Sequence, residues 1–123
     1  MRNAASPAEA ATAYAELAQI ISTRIDPLLR LLLGVRDTDR ALGEFARITD
    51  QERRAGATFY VQHWASTGWL RQDITLEHAI DAVWALNSPQ TRWLLLDHGW
   101  TGEEYARWLG ELIRSSIFAE QTT

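Results

Sequence analysis

Apolar residues recur along most of the chain at intervals of three and four residues, the spacing that places side chains on one face of an α-helix. Between residues 76 and 84 the apolar positions follow the order i, i+3, i+4, i+7 and i+8. In no segment do apolar and polar residues alternate with period two for long enough to predict a strand. The pattern therefore predicts an all-α domain, a helical bundle of about six helices.

Capping signals divide the first part of this pattern into two helices. Ser6, followed by a proline and then a glutamate, is typical of a capping box and predicts a helix that ends at about Thr23. Pro27 predicts the restart of a short helix over residues 28–33, which Gly34 closes.

The longest predicted helix covers the middle of the chain. Asp37 or Thr38 is expected to cap it, and it ends at about Thr67, before Gly68. Its inward face is expected to carry residues spaced by three, four and seven, namely Leu42, Phe45, Ile48, Ala55, Phe59 and His63.

The last three helices have clear N-terminal signals. Thr75, Ser88 and Thr101 are each the predicted N-cap of one of them, and Thr101 begins a second capping box. Pro89 separates the first two of these helices, and Gly99 separates the last two.

The length of the chain, 123 residues, and its 46% of hydrophobic residues indicate one domain with a real core. We expect a lead-in over residues 1–7, the domain over residues 8–118 and a frayed tail over residues 119–123. No segment has the pattern of a secretory signal or of a membrane span, so no membrane is expected as a partner.

Composition excludes several kinds of chemistry. Without cysteine the chain has no disulfide framework, thiolate zinc site or thiol nucleophile, and a cytoplasmic location is expected. All twelve basic residues are arginine, so chemistry that needs a lysine amine is excluded. The net charge of −4 argues against direct contact with nucleic acid.

The C-terminal half carries the most specific motifs. The segments DAVWALNSP (81–89) and GWTGEEY (99–105), followed by Trp108-Leu109, resemble the C-terminal ligand-sensing and dimerisation domain of TetR/AcrR-type transcriptional regulators. The segment GWLR (68–71) is also similar to that family. The resemblance extends over residues 8–118 and has specific motifs from Gly68 onward.

The resemblance implies a homodimer in bacterial transcription regulation. The last two helices, about 89–98 and 101–118, would pair with their copies as a four-helix bundle. The interface residues that it implies are Leu94, Leu95, Tyr105, Trp108, Leu109, Leu112 and Ile113. The helix-turn-helix of the family has no counterpart here, since residues 54–60 are interpreted as continuous helix. A DNA-binding part is therefore expected to have been either removed or never encoded.

The resemblance also implies a small-molecule effector bound between the long helices. We expect an aromatic cavity for a small, mostly apolar or aromatic ligand, lined by Tyr14, Phe59, Tyr60, His63, Trp64, Trp84 and Asn87. Arg92 is a further candidate for its edge. Arg53, Arg54 and Arg71 could hold an anion, but a solvated face with partners such as Asp50 for Arg54 is the plainer interpretation.

Nothing in the sequence predicts an enzyme. The nucleophile elbow, the P-loop and the dinucleotide-binding motif are absent, and the three histidines lack the spacing of metal ligands. We therefore expect no catalytic residues, no metal and no cofactor. The alternative hypothesis is a helical protein-interaction and dimerisation module with a filled core and no small-molecule ligand.

Overall fold

Helices make up most of the structure, a computed structural model that describes residues 5–120. The all-α prediction is confirmed, but these residues form five α-helices and one 3-10 turn rather than about six helices. The helices are α1 (Pro7–Val35), α2 (Arg40–Ser66), α3 (Leu76–Leu86), α4 (Pro89–Asp97) and α5 (Gly102–Ile117), and the 3-10 turn Arg36–Thr38 joins α1 to α2. The predicted lead-in and tail extend outside the described residues.

α1 is one continuous helix where the sequence predicted two. Pro27 lies inside it, although a proline lacks the N–H for a helical hydrogen bond and costs about 3 kcal/mol in a helix interior. Contacts on both sides of the proline offset this cost, because Leu29 is buried and the Asp26 carboxylate is bonded to Arg92. Gly34 does not close the helix, since its φ is not positive and α1 continues past it.

α2 begins slightly later than predicted. Asp39, rather than Asp37 or Thr38, is the N-cap, and its carboxylate accepts hydrogen bonds from two N–H groups of the first turn at 2.7 and 3.2 Å. The helix ends at Ser66, as expected. Gly68 follows with a φ of +80°, a conformation that glycine adopts without strain and that turns the chain away from the helix.

The buried face of α2 is not the predicted one. The residues of α2 that lie inside the chain are Ala46, Ala57, Val61 and Trp64. The predicted stripe, Leu42, Phe45, Ile48, Ala55, Phe59 and His63, lies on the exposed side. The prediction was wrong because α2 has apolar residues on two faces, and the face with Ala57, Val61 and Trp64 is the one that packs against the rest of the chain.

The core lies between α1, α2, α3 and α5. Its largest fully buried side chains are those of Trp64, Tyr105, Ile80, Leu109, Ile113, Ile117, Val61 and Val83. α5 approaches α1 closely at Gly110, where a Cβ would lie 3.4 Å from the Ala11 carbonyl oxygen. The Tyr105 hydroxyl donates to the Leu86 carbonyl oxygen at 2.6 Å, which joins α5 to the end of α3.

Side-chain hydrogen bonds confirm the other predicted helix starts. Ser6, Thr75, Ser88 and Thr101 each accept a hydrogen bond from the backbone N–H three residues later. At Thr101 the capping box is complete, because the Glu104 carboxylate accepts from the Thr101 N–H at 2.9 Å. These helix starts are local features, which is why the sequence predicts them well.

One contact between distant segments has no counterpart in the helical pattern. Leu70, in the connection between α2 and α3, forms an isolated antiparallel bridge with Phe118, directly after α5. The Arg71 N–H donates to the Ile117 carbonyl oxygen at 2.9 Å in the same bridge. The end of α5 is therefore fixed to the end of α2.

Candidate functional site

A cavity of about 200 Å³ lies between α1 and α2, and residues from the α3–α4 turn and from α4 complete its wall. Apolar side chains predominate among its lining residues, which are Tyr14, Leu17, Ala18, Ile21, Ser22, Ile25, Asp26, Leu29, Arg53, Gly56, Ala57, Tyr60, Asn87, Pro89 and Arg92. Apolar walls with a few polar groups are typical of small-molecule sites. Because typical sites for drug-sized ligands measure about 300–1,000 Å³, this one suits a smaller molecule.

Small residues on both helices create the space. Ala18 on α1 and the pair Gly56 and Ala57 on α2 line the cavity, so neither helix fills it with a large side chain at these positions. A Cβ on Gly56 would have no atom within 4 Å. Gly56 is therefore a position at which a larger side chain could occupy the cavity without a clash with the backbone.

Two tyrosines form the aromatic part of the wall. The rings of Tyr14 and Tyr60 meet edge to face with centroids 5.2 Å apart. Trp64 meets Tyr14 edge to face at 5.6 Å and is only 1% exposed, so it supports the wall from the core side. This packing holds both tyrosine rings in place beside the cavity.

Tyr14 also provides a polar group in the wall. Its hydroxyl accepts a hydrogen bond from the Asn87 amide at 3.1 Å. Burial raises the pKa of Tyr14 to about 12, against the lowering effect of the Asn87 hydrogen bond. Tyr14 therefore keeps its proton at neutral pH and remains a hydrogen-bond donor.

A buried ion pair forms another part of the wall. Arg92 Nε donates to Asp26 Oδ2 at 2.9 Å, and the two side chains are 5% and 18% exposed. The second carboxylate oxygen, Oδ1, accepts from Trp93 Nε1 at 3.0 Å, while Arg92 Nη1 donates to the Gln19 side chain. The guanidinium also lies 5.6 Å from the centroid of the Tyr105 ring. Both charges are thus well satisfied within the chain.

Arg53 differs from Arg92, because most of its donors have no acceptor. Its Nη2 donates to Asp50 Oδ1 at 3.0 Å. Its Nε and Nη1 are buried, and no acceptor lies within hydrogen-bond distance of them among residues 5–120. Arg54, the next residue, instead pairs with Glu77 and Asp81 at 3.0 and 2.9 Å. The expected pair of Asp50 with Arg54 is therefore replaced by a pair of Asp50 with Arg53.

The structure places the seven predicted ligand residues in different environments. Those that line the cavity are Tyr14, Tyr60 and Asn87. Trp64 lies behind the wall, in the core. Outside the cavity are Phe59 and His63, both exposed on α2, and Trp84, which lines a separate surface groove beside α4.

Three charged residues, Asp26, Arg53 and Arg92, complete the cavity wall. The sequence suggested only Arg92 as a residue of the cavity. Arg92 was expected at the cavity edge and does line it. The sequence pattern gives Asp26 no role beyond preceding Pro27, and a solvated face is the plainer interpretation of Arg53. Asp26 and its partner Arg92 are 66 residues apart, so no local spacing could have revealed the pair.

The seven predicted interface residues are also divided. Tyr105, Leu109 and Ile113 are at most 1% exposed in the core of this chain, so their side chains are not part of its surface. Leu94 is 72% exposed, and the half-buried members are Leu95, Trp108 and Leu112. The surface that α5 presents therefore lacks the central residues of the expected interface.

A wider surface groove of about 720 Å³ runs between α1 and α5. Charged side chains such as Glu16, Glu103, Arg107 and Arg114 line it. Among the described residues, the buried side-chain donors without an acceptor belong to Arg53 and Trp84, and neither lines this groove. Arg53 lines both the α1–α2 cavity and the groove beside α4, whereas Trp84 lines only the latter. The α1–α2 cavity is the better candidate for a binding site because it combines one of these donors with mostly apolar and aromatic walls.

No family model, curated protein or solved structure matches this chain. Within residues 5–120, no three histidine, aspartate or glutamate side chains are grouped as ligands for a metal ion. None of the helices in that range is both long enough and apolar enough to span a membrane. The α1–α2 cavity and the exposed apolar residues of these two helices are the features that point to a function.

Proposed function

We propose that the chain is a ligand-sensing, self-associating helical domain that binds a small, mostly apolar molecule in the α1–α2 cavity. The observation that carries the proposal is the cavity itself, in which apolar and aromatic walls surround a few fixed polar groups. The C-terminal motifs that resemble TetR/AcrR-type effector domains support the same function.

The packing of the long helices suits a sensor. α1 packs far more extensively against α5 than against α2. A molecule in the cavity would contact both α1 and α2 and would favour the arrangement in which these two helices are close. A ligand shifts a protein between two conformations only if it binds one of them more tightly than the other. A molecule that contacts both α1 and α2 would bind more tightly to the conformation in which the two helices are close.

Filling the cavity tests this proposal. We expect Gly56→Leu to retain the fold, because leucine is a better helix former than glycine by up to about 1 kcal/mol. It should weaken binding of 3-phenylpropan-1-ol and octan-1-ol by at least about tenfold, or 1.4 kcal/mol, since the new side chain occupies their space. Binding is measured by isothermal titration calorimetry and by the ligand-induced rise in melting temperature.

The matched control is Gly34→Leu, which introduces the same side chain at a helical glycine of α1 that does not line the cavity. It should leave the affinity for both alcohols unchanged. If neither these alcohols nor other small apolar compounds bind the wild-type chain, the alternative of a helical interaction module without a ligand replaces this proposal.

An exposed apolar surface supports self-association. Ten large apolar side chains of the described parts of α1 and α2 are 36–71% exposed, more than isolated surface positions account for. We call them the α1–α2 surface: Leu17, Ile20, Ile21, Ile25, Leu28, Leu31, Leu42, Phe45, Ile48 and Phe59. Leu17, Ile21 and Ile25 also line the cavity, so a second copy on this surface would cover the cavity mouth.

Two charge substitutions distinguish this surface from the one that the sequence predicted. We expect the wild-type chain to be a dimer and Phe45→Glu to be monomeric. A symmetric dimer of the variant would bury two unpaired carboxylates, one from each copy, and the cost of burying both opposes association. Leu94→Glu, on α4, should remain a dimer. Light scattering coupled to gel filtration gives the mass of each variant. A monomeric Leu94→Glu beside a dimeric Phe45→Glu would favour the α4–α5 interface, and a monomeric wild type would contradict self-association.

A further inference from the structure

Arg53 lines the α1–α2 cavity and also the groove beside α4, and apolar packing does not explain its place there. It is 20% exposed, and its Nε and Nη1 are buried without an acceptor among residues 5–120. A guanidinium is charged at every accessible pH. A buried charged donor that lacks an acceptor costs more free energy than a neutral one, so this position favours any molecule that brings an acceptor.

The charges around the cavity leave Arg53 without a full partner. Both oxygens of the Asp26 carboxylate are engaged, by Arg92 and by Trp93. Asp50, which takes one donor of Arg53, is 47% exposed and does not line the cavity. Asp26 and Arg92 neutralise each other, so the guanidinium of Arg53 is the remaining charge among the described lining residues.

We infer that the ligand of this cavity is a small amphipathic carboxylic acid, an inference that rests on the proposed function. Its carboxylate would accept hydrogen bonds from Arg53, and its hydrocarbon or aromatic part would lie along Leu17, Ile21 and Ile25. Carboxylates match the planar donors of arginine, and hydrogen bonds between two charged groups are roughly twice as strong as neutral ones. The cavity size of about 200 Å³ limits the acid to a single ring or a short chain.

Matched acids and alcohols test the inference. We expect 3-phenylpropanoate and octanoate to bind the wild-type chain at neutral pH at least about tenfold more tightly than 3-phenylpropan-1-ol and octan-1-ol. In Arg53→Met the two classes should bind equally, because the cation is lost while the apolar walls remain. Arg53→Lys should retain part of the preference for the acids, since it keeps the charge but not the planar donors.

Arg47→Met is the matched control. Arg47 lies on α2 and pairs with Glu44 three residues before it, as Arg53 pairs with Asp50, but it does not line the cavity. The preference for acids should be unchanged in this variant. Circular dichroism shows whether each variant is folded. If Arg53→Met is not folded, the preference for acids over alcohols in the wild-type chain and its reduction in Arg53→Lys test the inference instead.

The outcomes separate the inference from the proposed function. If acids and alcohols bind the wild-type chain equally, or if a folded Arg53→Met keeps the preference, the carboxylate assignment is overturned while the cavity remains a ligand site. If neither class binds the wild-type chain, the proposed function is contradicted as well.

Discussion

Replacing Trp64 with alanine should lower the free energy of unfolding by about 3–5 kcal/mol, the usual cost of removing a large aromatic side chain from a core. Trp64 is 1% exposed. Its ring meets Tyr14 and Phe118 edge to face, with centroids at 5.6 and 5.0 Å. The loss should lower the melting temperature on the order of 10–20 °C in a chain of this size, as measured by circular dichroism.

The control for Trp64→Ala is Phe59→Ala, which removes another aromatic ring from the same helix. Phe59 is 67% exposed, so its removal should change the free energy of unfolding by less than about 0.5 kcal/mol. Urea titrations at protein concentrations below self-association measure both values. Equal losses in the two variants would mean that Phe59 packs inside the chain as fully as Trp64, which would contradict the assignment of the buried face.

Trp64 and Phe59 also show where sequence reasoning about α2 fails. Helical periodicity identifies α2 as a helix because the apolar residues are spaced by three and four. It cannot decide which of two apolar faces is inside, because that choice depends on how the distant helices α1, α3 and α5 pack against α2. In the structure Ala57, Val61 and Trp64 are buried, whereas Phe59 is exposed.

Some helix boundaries follow from local sequence signals, and others depend on contacts with distant parts of the chain. The starts at Ser88 and Thr101 depend on hydrogen bonds to N–H groups three residues later, which the sequence contains in full. The break expected at Pro27 does not occur, and Arg92, far along the chain, bonds Asp26 inside the continuous helix α1. Local signals are reliable for a helix unless such a distant contact outweighs them.

The candidate site was only partly predictable for a related reason. The resemblance implies a pocket between the long helices, and three of the residues named for it, Tyr14, Tyr60 and Asn87, line the cavity. The sequence offers Arg53 only as one of several arginines that could hold an anion, because its neighbour Arg54 is the same residue type and nothing local distinguishes the two. Only the three-dimensional structure distinguishes the arginine that pairs with Glu77 from the one whose donors are buried.

The ion pair of Asp26 with Arg92 leads to the second large prediction. Asp26→Leu should lower the free energy of unfolding by about 3–5 kcal/mol, because it leaves the Arg92 cation buried without its carboxylate. Arg92 is 5% exposed, and among residues 5–120 its side chain would keep only the neutral Gln19 side chain as a hydrogen-bond partner. Urea titration of the variant measures the loss.

The double variant Asp26→Leu with Arg92→Met should lose much less than Asp26→Leu alone, since replacing both charges by apolar side chains of similar volume is often neutral. The double-mutant cycle then gives the coupling between the two residues. Glu44→Leu is the control, because it breaks an exposed pair with Arg47 and should have no measurable effect. Additive losses at Asp26 and Arg92 would contradict a buried pair. A strong coupling would explain why Pro27 does not end α1, because the helix would then be held at Asp26 by the Arg92 cation, which has no other partner of opposite sign among the residues that the structure describes.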